Sequence, residues 1–312
     1  MTDRPEVVLG TAQLFGKADD GASAAVLAAG WDAGVRRFDT APSYGGGRTE
    51  SQLGEFLAGR DGVEVVATKV GLAPALGTRQ GGRQLVAVAR AVLPAAVIDR
   101  LRRSSQGRAR GRFEPAAVRS SLDRSLAQLG GRVDRLLLHE VQPAEVTPEL
   151  VGVLQRAVLT GEVGAVGVAT SNELTAAALA AGQGVFTVAQ FAVGPLAPPV
   201  RLPASVTVRV GHGLLGPAGE HLQRVVLALG SDPLLARRWA EVTGAPATPA
   251  TVAAALLDRG PSTPVTDVVV ASVDPARLVS AVQAVRGRAP APAALRDVLS
   301  DAVHAAAGRV RS

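Results

Sequence analysis

The stretch VRRFDTAPSYGGGRTE, residues 35–50, passes from an apolar and basic run through an aspartate and a glycine cluster into the start of a helical segment. It reads as a strand over 35–39, a loop that carries the chain's only tyrosine, Tyr44, and a helix from residue 50. The polar residues gather where the strand ends, Asp39 at its last position and Tyr44 just beyond. Glycines 45–47 read as turn geometry that presents the tyrosine, because glycine takes positive φ at no steric cost.

The same unit recurs on both sides of this stretch. Strands are expected at 6–11, 35–39, 63–68, 133–138, 163–168, 185–189, 205–210 and 266–271. Segments of helical period lie between most of them, at 21–33, 50–59, 115–129 and 147–160, with Gly34, Gly130 and Gly161 placed where helices stop. Continuously apolar strands alternating with helices imply a parallel sheet covered on its outer face. Eight such units in 312 residues predict a single-domain (β/α)8 barrel spanning 1–312, an open doubly wound sheet being the alternative. The alternative lacks its mark: AQLFGKADDG follows the first strand where a GxGxxG turn would stand. Residues 72–114 break the regular spacing and read as an insertion over the C-terminal face of the barrel, with a helix near 83–103 and a basic tail. Residues 292–310 read as a final amphipathic helix.

Composition narrows the chemistry. Hydrophobic residues make up 47%, enough for a large core. There is no cysteine, and His139, His212, His221 and His304 are not at metal-ligand spacing, so no metal is expected. The amino end has no basic segment followed by an apolar one, and no apolar run reaches about 18 residues. A cytoplasmic protein without a membrane partner is the expectation. The net charge of +6 is local: residues 100–112, RLRRSSQGRARGR, hold six of the 33 basic residues, and the other 27 balance 27 acids. That loop carries no aromatic residue for base stacking and reads as a solvated segment rather than a nucleic-acid site.

Placed on this framework, Asp39 ends the second strand, Tyr44 follows it, Lys69 ends the third and His139 ends the fourth. Four titratable groups thus meet on one rim, where barrels carry their chemistry. Reducing a carbonyl by hydride needs a proton for its oxygen, and a phenol with a pKa of about 10 holds its proton tightly. A neighbouring ammonium at about 4 Å supplies roughly 3 to 4 kcal/mol, enough to lower a phenol by two to three units. Lys69 can be that charge, Asp39 its partner, and His139 a hydrogen-bond donor to the substrate oxygen.

FDTAPSYGGGRTE, VVATKVG and VDRLLLHE, in this order, resemble the aldo-keto reductase family. The likeness extends through LTGEVGAVGVAT, VAQF and VVVASVDPARL and covers most of the chain except 72–114. The resemblance implies a (β/α)8 barrel that uses NADPH, with NADH as the alternative, and no metal. It implies a catalytic tetrad of Asp39, Tyr44, Lys69 and His139. Cofactor contacts carried over by position are Thr170, Gln190, His212, Ser272 and Arg277, the last two at family positions that bind the adenosine 2′-phosphate. The chain departs from the family at several places: Ala169-Thr170 stands where Ser-Asn is usual, His212 where an aromatic ring commonly stacks on the nicotinamide, Ala271 for a common lysine, and Ser280-Ala281 for Glu-Asn. The function implied is reduction of an aldehyde or ketone, a sugar or secondary metabolite among them, to an alcohol. The alternatives are a cofactor-binding regulatory barrel with little turnover, or an anion- or nucleic-acid-binding barrel acting through 100–112.

Overall fold

A computed structural model of the chain describes residues 5–72, 113–287 and 292–308. Eight parallel strands close on themselves in sequence order: β1 (Glu6–Gly10), β2 (Arg37–Asp39), β3 (Val65–Val70), β4 (Arg135–His139), β5 (Ala165–Ala169), β6 (Val188–Ala192), β7 (Val208–His212) and β8 (Asp267–Val270), with β1 hydrogen-bonded to both β2 and β8. The expected closed barrel is the fold. The predicted helix near 83–103, the basic segment 100–112 and nearly all of the expected insertion lie outside the described residues.

The outer layer contains α1 (Asp20–Asp32), α2 (Thr49–Leu57), α3 (Pro115–Gln128), α4 (Pro148–Leu159) and α5 (Asn172–Ala181), then α6 (Glu220–Ser231), α7 (Pro233–Thr243) and α8 (Pro249–Arg259) between β7 and β8, and finally α9 (Pro275–Gly287) and α10 (Ala293–Gly308). Local chemistry sets their ends. Asp19, Thr147, Asp232 and Thr248 accept backbone N–H groups of the first turn, and the last three precede a proline that suits the first helical position. Gly34, Gly130 and Gly161 all take positive φ just past a helix end, as the sequence predicts.

Alternation along the strands sorts side chains between two cores. Leu136, Leu138, Val166, Val168 and Phe191 pack outward against the helices, while Leu137, Ala169, Val188 and Val210 pack together inside the barrel. Gly167 lets β5 and β6 approach: a Cβ there would stand 1.8 Å from the carbonyl oxygen of Val188. A separate cluster around Leu229, Trp239, Leu256 and Leu299 joins α6, α7, α8 and α10.

The two ends of the barrel differ in kind. At the strand N-termini, buried Asp267 takes Arg37 at 2.8 Å and Arg135 at 3.3 Å, an ion triad that closes the bottom. The C-terminal ends carry Asp39, Lys69, His139, Gln190 and His212. Strands β6 and β7 begin three residues later than expected, at 188 and 208 rather than 185 and 205. The apolar run begins at Val185, but Phe186 is spent packing on Gly182 before the ladder starts.

Candidate active site

Register places the site. Lys69 pairs with Leu137, His139 with Ala169, and Ala169 with Gln190, so Lys69, His139 and Gln190 project into the barrel at its upper end, on the same face as Leu137 below them. Asp39 and Lys69 are both buried, and Lys69 Nζ donates to Asp39 Oδ1 at 2.5 Å and to the carbonyl oxygen of Thr40 at 3.0 Å. The other carboxylate oxygen, Oδ2, accepts from Gln190 Nε2 at 2.9 Å. A buried ion pair survives its desolvation only when hydrogen bonds satisfy the remaining atoms, and here each carboxylate oxygen has its own donor. Burial works against the charge on Lys69, but Asp39 and Tyr44 outweigh it and hold the ammonium above its ordinary pKa.

Tyr44 opens a tight turn, Tyr44–Gly47, in which Gly45, Gly46 and Gly47 all have positive φ. This is the turn the glycine cluster predicts. Arg48 fixes its far side, donating to the carbonyl of Phe15 at 2.8 Å and pairing with Asp20 at 3.0 Å. Lys69 Nζ lies 4.9 Å from the centre of the tyrosine ring, and the His139 ring meets it edge-on with centroids 6.1 Å apart. The structure therefore brings Asp39, Tyr44, Lys69 and His139 together.

The electrostatics differ from the sequence expectation in one respect. Burial raises the Tyr44 phenol; Lys69 pulls it down, and Asp39 returns part of that, so the net direction is upward. The ammonium that would lower the phenol is already engaged by a carboxylate. His139 is pushed down to about 3, first by burial and then by Lys69 and His212, which leaves a neutral imidazole across the physiological range. Glu140, next in the chain, holds a positive φ of 57°.

The cofactor candidates divide. Gln190 is buried, and its Oε1 has no hydrogen-bond partner among the described residues. An orphaned amide oxygen beside a charged pair fits a ligand amide N–H, and the nicotinamide carboxamide has one. His212 presents an exposed ring at the end of β7, with its pKa lowered by the surrounding protein and by Lys69 against the pull of Asp39. Thr170 follows the last residue of β5, and its buried hydroxyl is engaged with Thr175 Oγ1 at 3.1 Å. Asn172 is also consumed, bracing the end of β6 through Ala192 and reaching the carbonyl of Pro198 at 2.6 Å. Ser272 and Arg277 flank the start of α9, but Asp274 lies between them and takes their hydrogen bonds. Asp274 lies within VVVASVDPARL but escapes the sequence reading, although an aspartate directly before a proline is a helix-start signal. Glu50, the last residue of the opening stretch, also escapes it: the side chain is buried and accepts from Thr68 Oγ1 at 2.6 Å, directly behind Lys69 in sequence.

Comparison with known proteins bears on this arrangement. The profile described as "Aldo/keto reductase family" matches residues 6–190, more than half of the chain, from β1 to Gln190. The chain belongs to the aldo/keto reductase family. It is 35% identical over 173 residues to a D-threo-aldose 1-dehydrogenase of Pseudomonas sp., an alignment covering 53% of this chain and 49% of that protein. It is 48% identical over 69 residues to a pyridoxal 4-dehydrogenase of Microbacterium luteolum, covering 20% of this chain and 19% of the relative. The chain thus spans about half the length, or less, of the curated relatives it matches. Among solved structures, the glycerol dehydrogenase of Gluconobacter oxydans superposes with a TM-score of 0.65 at 20% identity, over 95% of this chain and 90% of that one. At that identity the likeness speaks for the barrel alone.

Among the described residues no group of three or more His, Cys, Asp or Glu side chains is placed to hold a metal ion. No described helix is long and apolar enough to cross a membrane.

Proposed function

We propose that this aldo/keto reductase interconverts a carbonyl compound and its alcohol with a nicotinamide dinucleotide, in the direction of reduction, with Tyr44 as the proton donor. The observation that carries the reading is the burial of Asp39, Lys69 and Gln190 as one hydrogen-bonded unit at the barrel mouth beside Tyr44 and His139. When bound, the cofactor supplies hydride to the carbonyl carbon. Gln190, through Oε1, and the His212 ring are the residues that would hold the nicotinamide.

The chain's own residues do the rest. A phenol whose pKa is raised by burial is fully protonated at neutral pH, the form a reduction needs. As negative charge develops on the substrate oxygen, Tyr44 gives up its proton, and the ammonium of Lys69 stabilises the phenolate left behind. Asp39 keeps that ammonium charged and fixed, and Gln190 fixes Asp39 in turn. His139, neutral throughout, donates one N–H to the substrate oxygen and orients it without competing for the proton.

A second reading concerns direction and substrate. The two curated relatives are named as dehydrogenases, one of an aldose at position 1 and one of pyridoxal at position 4. Both aldehydes close onto their own hydroxyl groups as cyclic hemiacetals. The corresponding reaction here would be oxidation of a cyclic hemiacetal to a lactone, the carbon giving its hydride to the oxidised dinucleotide and the hydroxyl its proton to the ionised form of Tyr44.

One assay tests both. The protein is incubated with a panel of aldehydes and ketones and reduced cofactor, and separately with hemiacetals and oxidised cofactor, while nicotinamide absorbance is followed. Turnover that is lost in the Tyr44→Phe protein supports the proposal. Turnover unaffected by that substitution removes Tyr44 from its role, and no turnover with any member of either panel favours a cofactor-binding barrel without catalysis.

A further inference from the structure

We propose that Asp274 makes the start of α9 a selector for a dinucleotide with an unmodified adenosine ribose, NADH or NAD+, over its 2′-phosphorylated counterpart. This deepens the reading of the barrel mouth as a nicotinamide dinucleotide site and rests on it. The family resemblance assigns Ser272 and Arg277 to the 2′-phosphate, and the residues present do not fit that group.

A phosphate at a helix N-terminus needs free N–H groups and a net positive field. Here both are already taken. Asp274 Oδ1 accepts the backbone N–H of Ala276 at 2.9 Å and that of Arg277 at 3.1 Å, so a carboxylate of the protein itself occupies the anion position. The Ser272 hydroxyl donates to the Asp274 carbonyl at 2.9 Å and accepts from the Asp274 N–H at 3.0 Å, which closes a small ring and leaves no hydroxyl proton for a ligand. The Arg277 side chain is 83% exposed, with Nε 3.6 Å from Asp274 Oδ2, so its charge is partly offset by the same carboxylate. Ala271, just past the end of β8, brings no cation.

The same geometry suits a diol. Among the described residues Asp274 Oδ2 meets that loose contact with Arg277 alone, and a carboxylate oxygen so placed would accept from the 2′-hydroxyl of a ribose bound there. A 2′-phosphate, carrying about −1.5 to −2 charges at neutral pH, would meet a negative group instead of donors. Two negative charges held within about 5 Å at a partly exposed site cost on the order of tenfold or more in affinity.

The test is direct binding, measured by fluorescence and calorimetry at low salt with NADH, NADPH and the fragments 5′-AMP and 2′,5′-ADP. The wild-type chain is expected to bind NADH at least about tenfold more tightly than NADPH, and 5′-AMP more tightly than 2′,5′-ADP. Asp274→Ala, which frees the two backbone N–H groups and removes the charge, is expected to raise NADPH affinity by about 10- to 100-fold while NADH affinity falls a few-fold. Asp274→Asn keeps a capping oxygen and should fall between, and thermal melts establish that both variants fold. If either fails to fold, the wild-type ratios and the fragment pair decide. Tighter binding of NADPH by the wild-type chain, or a ratio unmoved in both variants, overturns this inference and leaves the dinucleotide reading standing. Binding of neither dinucleotide overturns both.

Discussion

Gln190 Nε2 donates to Asp39 Oδ2 at 2.9 Å across 151 positions of sequence, while Lys69 holds the other oxygen of the same carboxylate. A residue proposed to hold the cofactor is thereby coupled to the charge pair beside Tyr44. Gln190 also has its amide oxygen, Oε1, with no partner among the described residues. Replacing Gln190 by Met, which keeps the volume and removes both amide groups, is expected to weaken dinucleotide binding by about tenfold, the value of one hydrogen bond to a buried group. Titration followed by fluorescence checks this; unchanged affinity would separate Gln190 from the cofactor.

Lys69 and Asp39 are expected to be interdependent. Lys69→Met leaves a buried carboxylate with one neutral donor and should destabilise the barrel by about 3 to 5 kcal/mol. The double variant Lys69→Met with Asp39→Leu should recover much of that stability in denaturant unfolding while remaining inactive. Additive losses of stability would contradict the pairing.

The bottom of the barrel offers the contrasting case. Asp267→Asn leaves Arg37 and Arg135 facing each other without their shared carboxylate and should also cost about 3 to 5 kcal/mol. Because the triad lies at the end of the barrel away from the catalytic candidates, kcat of the folded protein is expected to stay within about twofold of wild type. A large loss of kcat with stability unchanged would reverse the assignment of the two ends.

The pH dependence follows from Tyr44 and His139. His139 does not gain a proton until about pH 3, so no inflection near pH 6.5 is expected in kcat/KM for reduction. Tyr44, raised above its ordinary value, remains protonated to the alkaline side, so reduction should lose activity only as pH climbs past about 10, while oxidation rises over that range. For stability the sign is that of a depressed pKa. His139 binds its proton more weakly in the folded chain than in the unfolded one, so its contribution is complete above about pH 6.5 and is lost as pH falls toward 3. His139→Gln should flatten that acid-side decline in the melting temperature. A bell-shaped reduction profile centred near pH 6.5 would contradict the neutral imidazole.

The barrel was legible in the sequence because its strands are continuous apolar runs separated by helices that end in glycine, and this period survives local error. The register was less so: the run VFTVAQFA has two places where a strand could begin, and packing of Phe186 on Gly182 chooses the later one. That Asp39, Lys69 and His139 gather at one end of the barrel was readable because each falls near a strand end, where alternation turns it inward; Tyr44 was placed by the glycine turn that follows β2. The partners of the Thr170 and Ser272 hydroxyls were not readable, because which group each bonds depends on the path of a loop. Thr170 turns in to Thr175, and Ser272 is claimed by Asp274 two residues on. The net direction of the Tyr44 pKa was hidden for a related reason, since burial and the second charge of a pair cannot be counted before the fold is known.

The central claim is that Tyr44 gives its proton to substrate oxygen under the influence of Lys69. Single turnover of the Tyr44→Phe protein, with reduced cofactor already bound, tests it most directly. Cofactor affinity within about threefold of wild type and a hydride-transfer rate lower by about 100- to 10,000-fold are predicted. A rate equal to wild type at equal cofactor occupancy would contradict the claim.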